Sequence, residues 1–242
     1  QYSRKKRRDI ARWLGFPQSK RSVKILNKIP VEEVEVDLLL RLRKVLKLNN
    51  KEALKALSHV PRINKTVLDF VSKPKLLCYV SGSFLTNIAK LGKSKNDSIF
   101  NLFEDTIRMA EIVRNYQDIQ FNTLRDLKFT HDNLVRELNE EKKLKSLLKY
   151  KFPDPPLQGT ESIIPITDSR VLIQEGVLMR NCVASYAERI SRGEVYIYRV
   201  LVPPEQATLS LTKHGNRWVI GELKAICNRN PKKKTEEYVQ RW

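Results

Sequence analysis

The sequence predicts an α+β protein, in which a predominantly helical region precedes a small α+β module with an antiparallel sheet. Before residue 150, apolar residues recur at separations of three and four, which is the spacing of amphipathic helices. After that point, segments rich in β-branched and aromatic residues flank a Gly-Asn turn, which is typical of paired strands. The proline-rich residues 152–157 cannot continue a helix. We therefore predict two domains, residues 1–150 and residues 151–242.

Basic amphipathic segments open the first domain, and short helices follow them. Residues 4–16 and 21–29 combine basic residues with apolar ones at partly helical spacing. Three helical units are predicted between residues 36 and 72, where the side-chain oxygens of Asn50 and Asn64 can cap the next unit. Three further helices are residues 84–91 capped by Ser83, residues 99–113 capped by Asn96 or Asp97, and residues 131–150 preceded by Thr130.

The second domain is predicted as a helix packed on an antiparallel sheet. Its helix begins with an Asp or Ser cap and continues without a break over residues 168–190. A final helix is expected near Thr235. The predicted strands are residues 163–166, 195–202, 206–212 and 217–226, with a turn at residues 214–216 between the last two.

Positive charge is concentrated towards the amino terminus. Residues 1–95 contain 23 Lys and Arg against 7 Asp and Glu, whereas residues 96–242 contain 23 against 20. A concentrated positive field attracts polyanions and releases their counterions. The first domain is therefore predicted to contact DNA or RNA, although a solvated, lysine-rich exterior is the simpler alternative. The candidate contacts are Arg4, Lys5, Lys6, Arg7, Arg8, Arg12, Lys20, Arg21, Lys24 and Lys28.

Several classes of protein do not fit the sequence. No apolar run approaches the roughly 20 residues that span a bilayer, and the basic start lacks the apolar segment of a signal peptide. We therefore expect a cytoplasmic protein without a membrane partner. Three cysteines without CxxC spacing argue against disulfides and zinc, and no cofactor-binding motif is present. The chain starts at Gln1 and stops at Trp242 inside a helix-like stretch, which suggests a piece of a longer protein.

Residues 175–186, Glu-Gly-Val-Leu-Met-Arg-Asn-Cys-Val-Ala-Ser-Tyr, form the most informative block. Strand-like residues 195–201 follow, and then Glu222-Leu223-Lys224 and Asn228. This order resembles the PcfJ-like domain, which occurs in proteins of conjugative plasmids, phages and other mobile elements. The resemblance implies a role in a mobile genetic element or in defence against one, with a module that docks a partner or ligand. The family pattern commonly has histidine before the cysteine, whereas this chain has Asn181.

Cys182 is the candidate nucleophile of an alternative, hydrolase-type enzyme. His214 and Asn228 follow it in the chain order of a Cys-His-Asn site. The position of Cys182 inside the predicted helix favours a buried structural thiol instead. His131 and Asp132 look like a metal-binding pair, but too few histidines are available to complete such a site. Asp132 is better explained as a charge at a helix N-terminus.

Glu222 and Lys224 should lie on one face of a strand, because side chains alternate along it. That face either lines a pocket or meets solvent. Tyr186 either presents its hydroxyl beside Cys182 or packs internally. The candidate catalytic residues are thus Cys182, Tyr186, Glu222, Lys224 and Asn228, and whether any catalysis occurs stays open. A third hypothesis for the function is a structural subunit that binds protein partners in a larger nucleoprotein assembly.

Overall fold

The computed structural model describes residues 7–91, 99–113, 119–139 and 147–242. The predicted α+β class is confirmed. Packing divides the chain into two compact units, which we call the helical unit and the sheet unit. The helical unit comprises residues 1–104 and 116–130, and the sheet unit comprises residues 105–115 and 131–242. The division at residue 150 rests on composition and stays a prediction.

Short helices build the helical unit, and two longer ones contribute to both units. None of the described helices is long and apolar enough to cross a membrane. The helices are α1 (Arg7–Trp13), α2 (Lys20–Leu26), α3 (Val36–Leu48), α4 (Lys51–His59), α5 (Lys65–Ser72), α6 (Gly82–Ala89), α7 (Ile99–Val113) and α8 (Leu124–Leu138), with 3₁₀ turns at Val31–Glu33 and Pro74–Tyr79.

Local capping sets several of these helix starts. The Asn50 and Asn64 caps are confirmed, since their Oδ1 atoms accept hydrogen bonds from the third residue beyond, at 3.0 and 2.9 Å. The Ser83 cap is wrong. Helix α6 begins two residues earlier than predicted, and the Oγ of Ser81 accepts from the amide of Phe84 at 3.2 Å. The predicted Asn96 and Asp97 caps lie outside the described residues.

Helix α8 begins seven residues before its predicted start. Thr123 and Asp126 form a reciprocal cap, in which the Thr123 Oγ1 accepts from the Asp126 amide at 3.1 Å and the Asp126 Oδ2 accepts from the Thr123 amide at 2.9 Å. Two free amides are thus satisfied together. Thr130 and Asp132 consequently lie inside the helix, and the predicted N-terminal role of Asp132 is wrong.

Edge-to-face aromatic contacts fill the core of the helical unit. The ring of Phe70 lies 5.7 Å from Phe84, 5.0 Å from Phe100 and 4.8 Å from Phe103, measured between centroids. Phe121 contacts Phe103 in the same manner at 6.0 Å. Such pairs contribute about 0.5–1.5 kcal/mol each beyond the area that they bury. This core fixes the short helices whose outer surfaces carry the basic residues.

A four-stranded antiparallel sheet in the order β1-β2-β3-β4 forms the centre of the sheet unit. Helices α9 and α10 precede β2, and helix α11 follows β4. The elements are β1 (Ile163–Pro165), α9 (Ser169–Met179), α10 (Ala187–Ser191), β2 (Val195–Val202), β3 (Glu205–His214), β4 (Arg217–Ala225) and α11 (Lys233–Arg241), with 3₁₀ turns at Val183–Tyr186 and Ile226–Asn228.

The single helix predicted over residues 168–190 is wrong. Its Asp168 cap is confirmed, because the Oδ1 of Asp168 accepts from the amide of Arg170 at 2.6 Å. The helix stops at Met179, since Arg180 adopts a left-handed conformation with φ of 50°. The chain then folds back, and the amide of Asn181 donates to the carbonyl of Gly176 at 3.1 Å. Cys182 therefore lies in the turn beyond the helix.

Register and a bulge decide which side chains of the sheet share a face. Ile197 pairs with Ser210, and Thr208 pairs with Lys224. The register shifts between Leu209 and Leu211, where Gly221 and Glu222 oppose Ser210. A Cβ on Gly221 would lie 2.8 Å from the Ser210 hydroxyl, so glycine permits this close approach. The Ser210 Oγ accepts from the Glu222 amide at 2.8 Å.

Candidate functional site

All five candidate catalytic residues border one small depression in the sheet unit, which we call the polar cleft. Its volume is about 30 Å³, which is room for one or two water molecules. The residues that line it come from the turn after α9, from three strands and from the turn after β4. They are Asn181, Cys182, Val183, Tyr186, Ile197, Thr208, Ser210, Glu222, Lys224 and Asn228.

Two features of the backbone place the β4 side of the polar cleft. Alternation along β4 turns both Glu222 and Lys224 towards it. Beyond the strand, Cys227 and Asn228 have φ values of 57° and 56°. Two successive left-handed residues without glycine are strained, and such strain concentrates at functional sites. This turn brings Asn228 back over the cleft.

A buried carboxylate fixes the opposite side. Asp105 of α7 is only 7% exposed. Its Oδ1 accepts from the Tyr186 hydroxyl at 2.9 Å, and its Oδ2 accepts from the Cys182 Sγ at 3.6 Å. Asp105 also forms an ion pair with Arg108. One carboxylate thus orients both candidate residues of the Cys-to-Tyr block.

Arg108 completes this buried cluster. Its Nε donates to the Ser185 Oγ at 3.0 Å, and its guanidinium lies 4.0 Å from the centre of the Tyr186 ring. Burial acts to lower the pKa of Arg108, but the combined effects of Asp105, Tyr186 and Cys182 exceed that of burial, so the pKa is raised. The guanidinium therefore stays charged and balances Asp105. Asp105 and Arg108 escaped the sequence analysis, although two opposite charges three residues apart within an apolar helix were a visible signal.

A second buried carboxylate, Glu175 of α9, supports the sheet side of the polar cleft. It accepts from the Arg199 Nε at 2.7 Å and from the Thr208 Oγ1 at 2.9 Å. The Thr208 hydroxyl in turn accepts from the Asn181 Nδ2 at 3.3 Å. The Asn181 Oδ1 accepts from the amide of Val183 at 3.1 Å. Asn181 thus ties the turn after α9 to β3 through its side-chain amide.

The environment of Cys182 keeps its thiol protonated. Burial raises the pKa of Cys182, and the carboxylates of Asp105 and Glu222 raise it further, against a smaller opposing effect of Arg108. Burial and Asp105 likewise raise the pKa of Tyr186. A nucleophilic cysteine requires the opposite shift. His214 lies exposed at the end of β3 and does not line the polar cleft, so this arrangement suits recognition by hydrogen bonds rather than thiolate chemistry.

We expect thiol reagents at pH 7 to label Cys78 and Cys227, which are exposed, much faster than the buried Cys182. Because folding raises the pKa of Cys182, its contribution to stability is complete below the ordinary thiol pKa of about 8.5 and is lost as the pH rises through the folded value. Mass spectrometry of timed labelling at pH 7 measures the three rates, and urea unfolding at pH 7 and pH 10 measures the change in stability. Equal labelling rates for all three cysteines at pH 7 would contradict the buried, protonated thiol.

The candidate nucleic-acid contacts have different environments. Arg4, Lys5 and Lys6 lie outside the described residues, as do the side chains of Arg7 and Arg8. Arg12 donates to the Gln18 Oε1 at 2.7 Å, and Lys20, Arg21 and Lys24 are exposed on α2. Partial burial lowers the pKa of Lys28. Lys28 donates to the carbonyls of Leu57, Ser58 and Val60 at 2.6–3.0 Å. All three of its protons thus stabilise the end of α4.

A second depression, which we call the basic cleft, lies in the helical unit beside α2. Its volume is about 630 Å³, and its lining includes Arg21 and Lys47 but no acidic residue. Lys47, in the last turn of α3, was not among the predicted contacts. The remaining lining residues are Pro17, Ser19, Ser22, Leu46, Asn49 and Leu54. Hydroxyl and amide groups therefore accompany the two cations.

Comparison with known proteins places the polar cleft inside one family. A family model described as PcfJ-like protein matches residues 102–240, which is more than half of the chain. The matched residues include Asp105 and Arg108 as well as every residue that lines the polar cleft. No curated protein and no solved structure matches the chain. The resemblance predicted from the sequence is confirmed, and the chain belongs to the PcfJ-like family.

Proposed function

We propose that the protein binds nucleic acid through its helical unit and that its PcfJ-like sheet unit docks a further group of a ligand or partner. One observation carries the first part of this proposal. Exposed cations on α2, α3 and α4 form no ion pair with any residue that the structure describes, and two of them line the basic cleft. They are Lys20, Arg21, Lys24, Lys44, Lys47, Lys51 and Lys55.

Unpaired cations suit phosphates because their charge is not already neutralised. Elsewhere in the helical unit, Arg41, Arg62 and Lys73 form ion pairs with acidic residues. Around the basic cleft, a phosphate would replace only water and counterions, and counterion release favours binding. The volume of about 630 Å³ lies in the usual range for pockets that hold small molecules. DNA and RNA are both compatible with this arrangement.

The setting of this function is part of the proposal. We propose that the protein acts in the cytoplasm. Because the PcfJ-like family suggests that context, we also propose that it is encoded by a mobile genetic element or belongs to a defence system directed against one. Among the described residues, no group of three or more His, Cys, Asp or Glu side chains is arranged to hold a metal ion. Hydrogen-bonding recognition in the polar cleft accords with the protonated Cys182 better than a cysteine hydrolase does.

Reversal of charge at the basic cleft tests the proposed function. The double variant Arg21→Glu/Lys47→Glu should bind single- and double-stranded oligonucleotides at least about tenfold more weakly. Each lost phosphate contact should reduce the slope of log K against log salt by about 0.7 for single strands and 0.9 for duplexes. Fluorescence anisotropy between 50 and 300 mM NaCl measures the affinity and the slope together.

The matched control carries the same change of charge elsewhere in the helical unit. Lys75 and Lys90 are exposed and do not line the basic cleft. Lys75→Glu/Lys90→Glu should therefore retain most of the affinity and the salt slope. Equal losses in both double variants would show only a general effect of net charge, and unchanged binding in the Arg21/Lys47 variant would refute the basic cleft as the contact.

A further inference from the structure

We propose that the polar cleft recognises the edge of a guanine base. This inference extends the proposed function, on which it rests, by assigning the base-reading site and the preferred base. Contacts to phosphates position a nucleic acid without reading its sequence, whereas contacts to base edges specify it. The basic cleft offers the first kind of contact, and the polar cleft offers the second.

The charges around the polar cleft select a neutral group. Glu222 and Lys224 contribute one charge of each sign from the same face of β4. A phosphate or carboxylate would meet Glu222, whose charge is near enough to act on Cys182, with Asp105 directly behind that thiol. A cation would meet Lys224. A neutral group that carries both donors and acceptors avoids either repulsion.

The size of the polar cleft selects an edge rather than a whole molecule. A volume of about 30 Å³ does not admit a sugar or a complete base. The rim of a flat ring can enter it, because hydrogen bonds to a base are made along its edge. Val183 and Ile197 line the same depression and offer apolar contact to the ring. The body of the ligand would then remain outside.

Guanine has the edge that matches these side chains with the most hydrogen bonds. It presents two neighbouring N–H donors beside the O6 acceptor. A carboxylate such as that of Glu222 can accept both donors. The ammonium group of Lys224 donates one hydrogen bond to the Asn230 Oδ1 at 3.4 Å and has two further N–H groups, one of which can donate to O6. Asn228 adds an amide that forms no side-chain hydrogen bond with any residue that the structure describes. Uracil offers one donor between two acceptors and satisfies a carboxylate less well.

Two binding measurements with the full chain test the assignment. Titration with guanosine, adenosine, cytidine and uridine, followed by NMR, uses ligands without phosphate and so does not depend on the basic cleft. Anisotropy with eight-residue oligonucleotides that differ at one central base measures base preference. We expect guanosine to bind more tightly than the other nucleosides, and the guanine oligonucleotide to bind about tenfold more tightly than its uracil counterpart.

Variants of the polar cleft separate this inference from the proposed function. Glu222→Gln and Lys224→Met should each remove the guanine preference and leave binding of the uracil oligonucleotide within about twofold. Glu236→Gln and Lys233→Met are the controls, because both side chains are exposed on α11 and do not line the cleft. Arg21→Glu/Lys47→Glu should weaken binding of every oligonucleotide alike and leave guanosine binding unchanged.

The possible outcomes distinguish failure of the guanine site from failure of the proposed function. If guanosine binds and Glu222→Gln abolishes that binding, the guanine site is supported even if oligonucleotides do not bind. Guanosine binding without oligonucleotide binding would refute the proposed function and leave the guanine site standing. Salt-dependent oligonucleotide binding without base preference, together with no nucleoside binding, would overturn the guanine site and leave the proposed function intact. Equal binding of all four nucleosides, or tighter binding of glycinamide or a free amino acid than of guanosine, would also overturn it.

Discussion

Replacement of Asp105 by alanine is expected to lower the free energy of unfolding of the sheet unit by about 3–5 kcal/mol. The substitution leaves the largely buried Arg108 guanidinium without its counter-charge and deprives both Tyr186 and Cys182 of their acceptor. Hydrogen exchange of amides in β2 and β3, followed in urea, reports on this unit separately. A loss below about 1 kcal/mol would mean that solvent readily reaches the cluster.

A second variant distinguishes the unpaired charge from loss of packing. Asp105→Leu/Arg108→Met removes both charges and keeps apolar volume, so it should recover more than half of the loss. Glu188→Ala is the control, because Glu188 forms an exposed i,i+4 pair with Arg192, and such pairs contribute about 0.3–0.5 kcal/mol. If the double variant were as unstable as Asp105→Ala, the penalty would come from shape rather than charge.

Local chemistry explains which parts of the fold were predictable. Asn50 and Asn64 each satisfy free amides within three residues, so sequence spacing alone identifies them as caps. The break at Arg180 has no comparable signal, because arginine rarely adopts positive φ and the fold-back depends on close packing of Ala184 against Gly176. The start of α8 was misplaced because Thr130 and Asp132 imitate the cap that Thr123 and Asp126 form.

The polar cleft was predictable only in part, for a related reason. Alternation along β4 places Glu222 and Lys224 together, and the bulge does not disturb this because it ends before Lys224. The roles of those residues stay predictions. Asp105 lies 77 residues before Cys182 in the chain, and no local pattern joins the two. Interactions that distant depend on tertiary packing, which periodicity does not encode.

Replacement of Glu175 by alanine should be nearly as damaging as loss of Asp105, at about 3–5 kcal/mol. Glu175 is completely buried, and its removal leaves the partly buried Arg199 without its counter-charge and frees Thr208 from one of its bonds. Glu175→Gln keeps a side-chain oxygen for Arg199, while the Thr208 hydroxyl can rotate to a new partner. The glutamine variant should therefore lose about half as much stability, measured by the same hydrogen exchange in β2 and β3.

The same substitution should also alter the polar cleft, because Glu175 orients Asn181 through Thr208. In Glu175→Gln we expect the labelling rate of Cys182 to rise at least about threefold at pH 7, under conditions where the unit stays folded. Glu236→Gln, on the exposed face of α11, should leave that rate unchanged. A stability loss without faster labelling would assign Glu175 to the core alone, whereas faster labelling shows that the buried network holds the turn at Asn181 and Cys182 against the sheet.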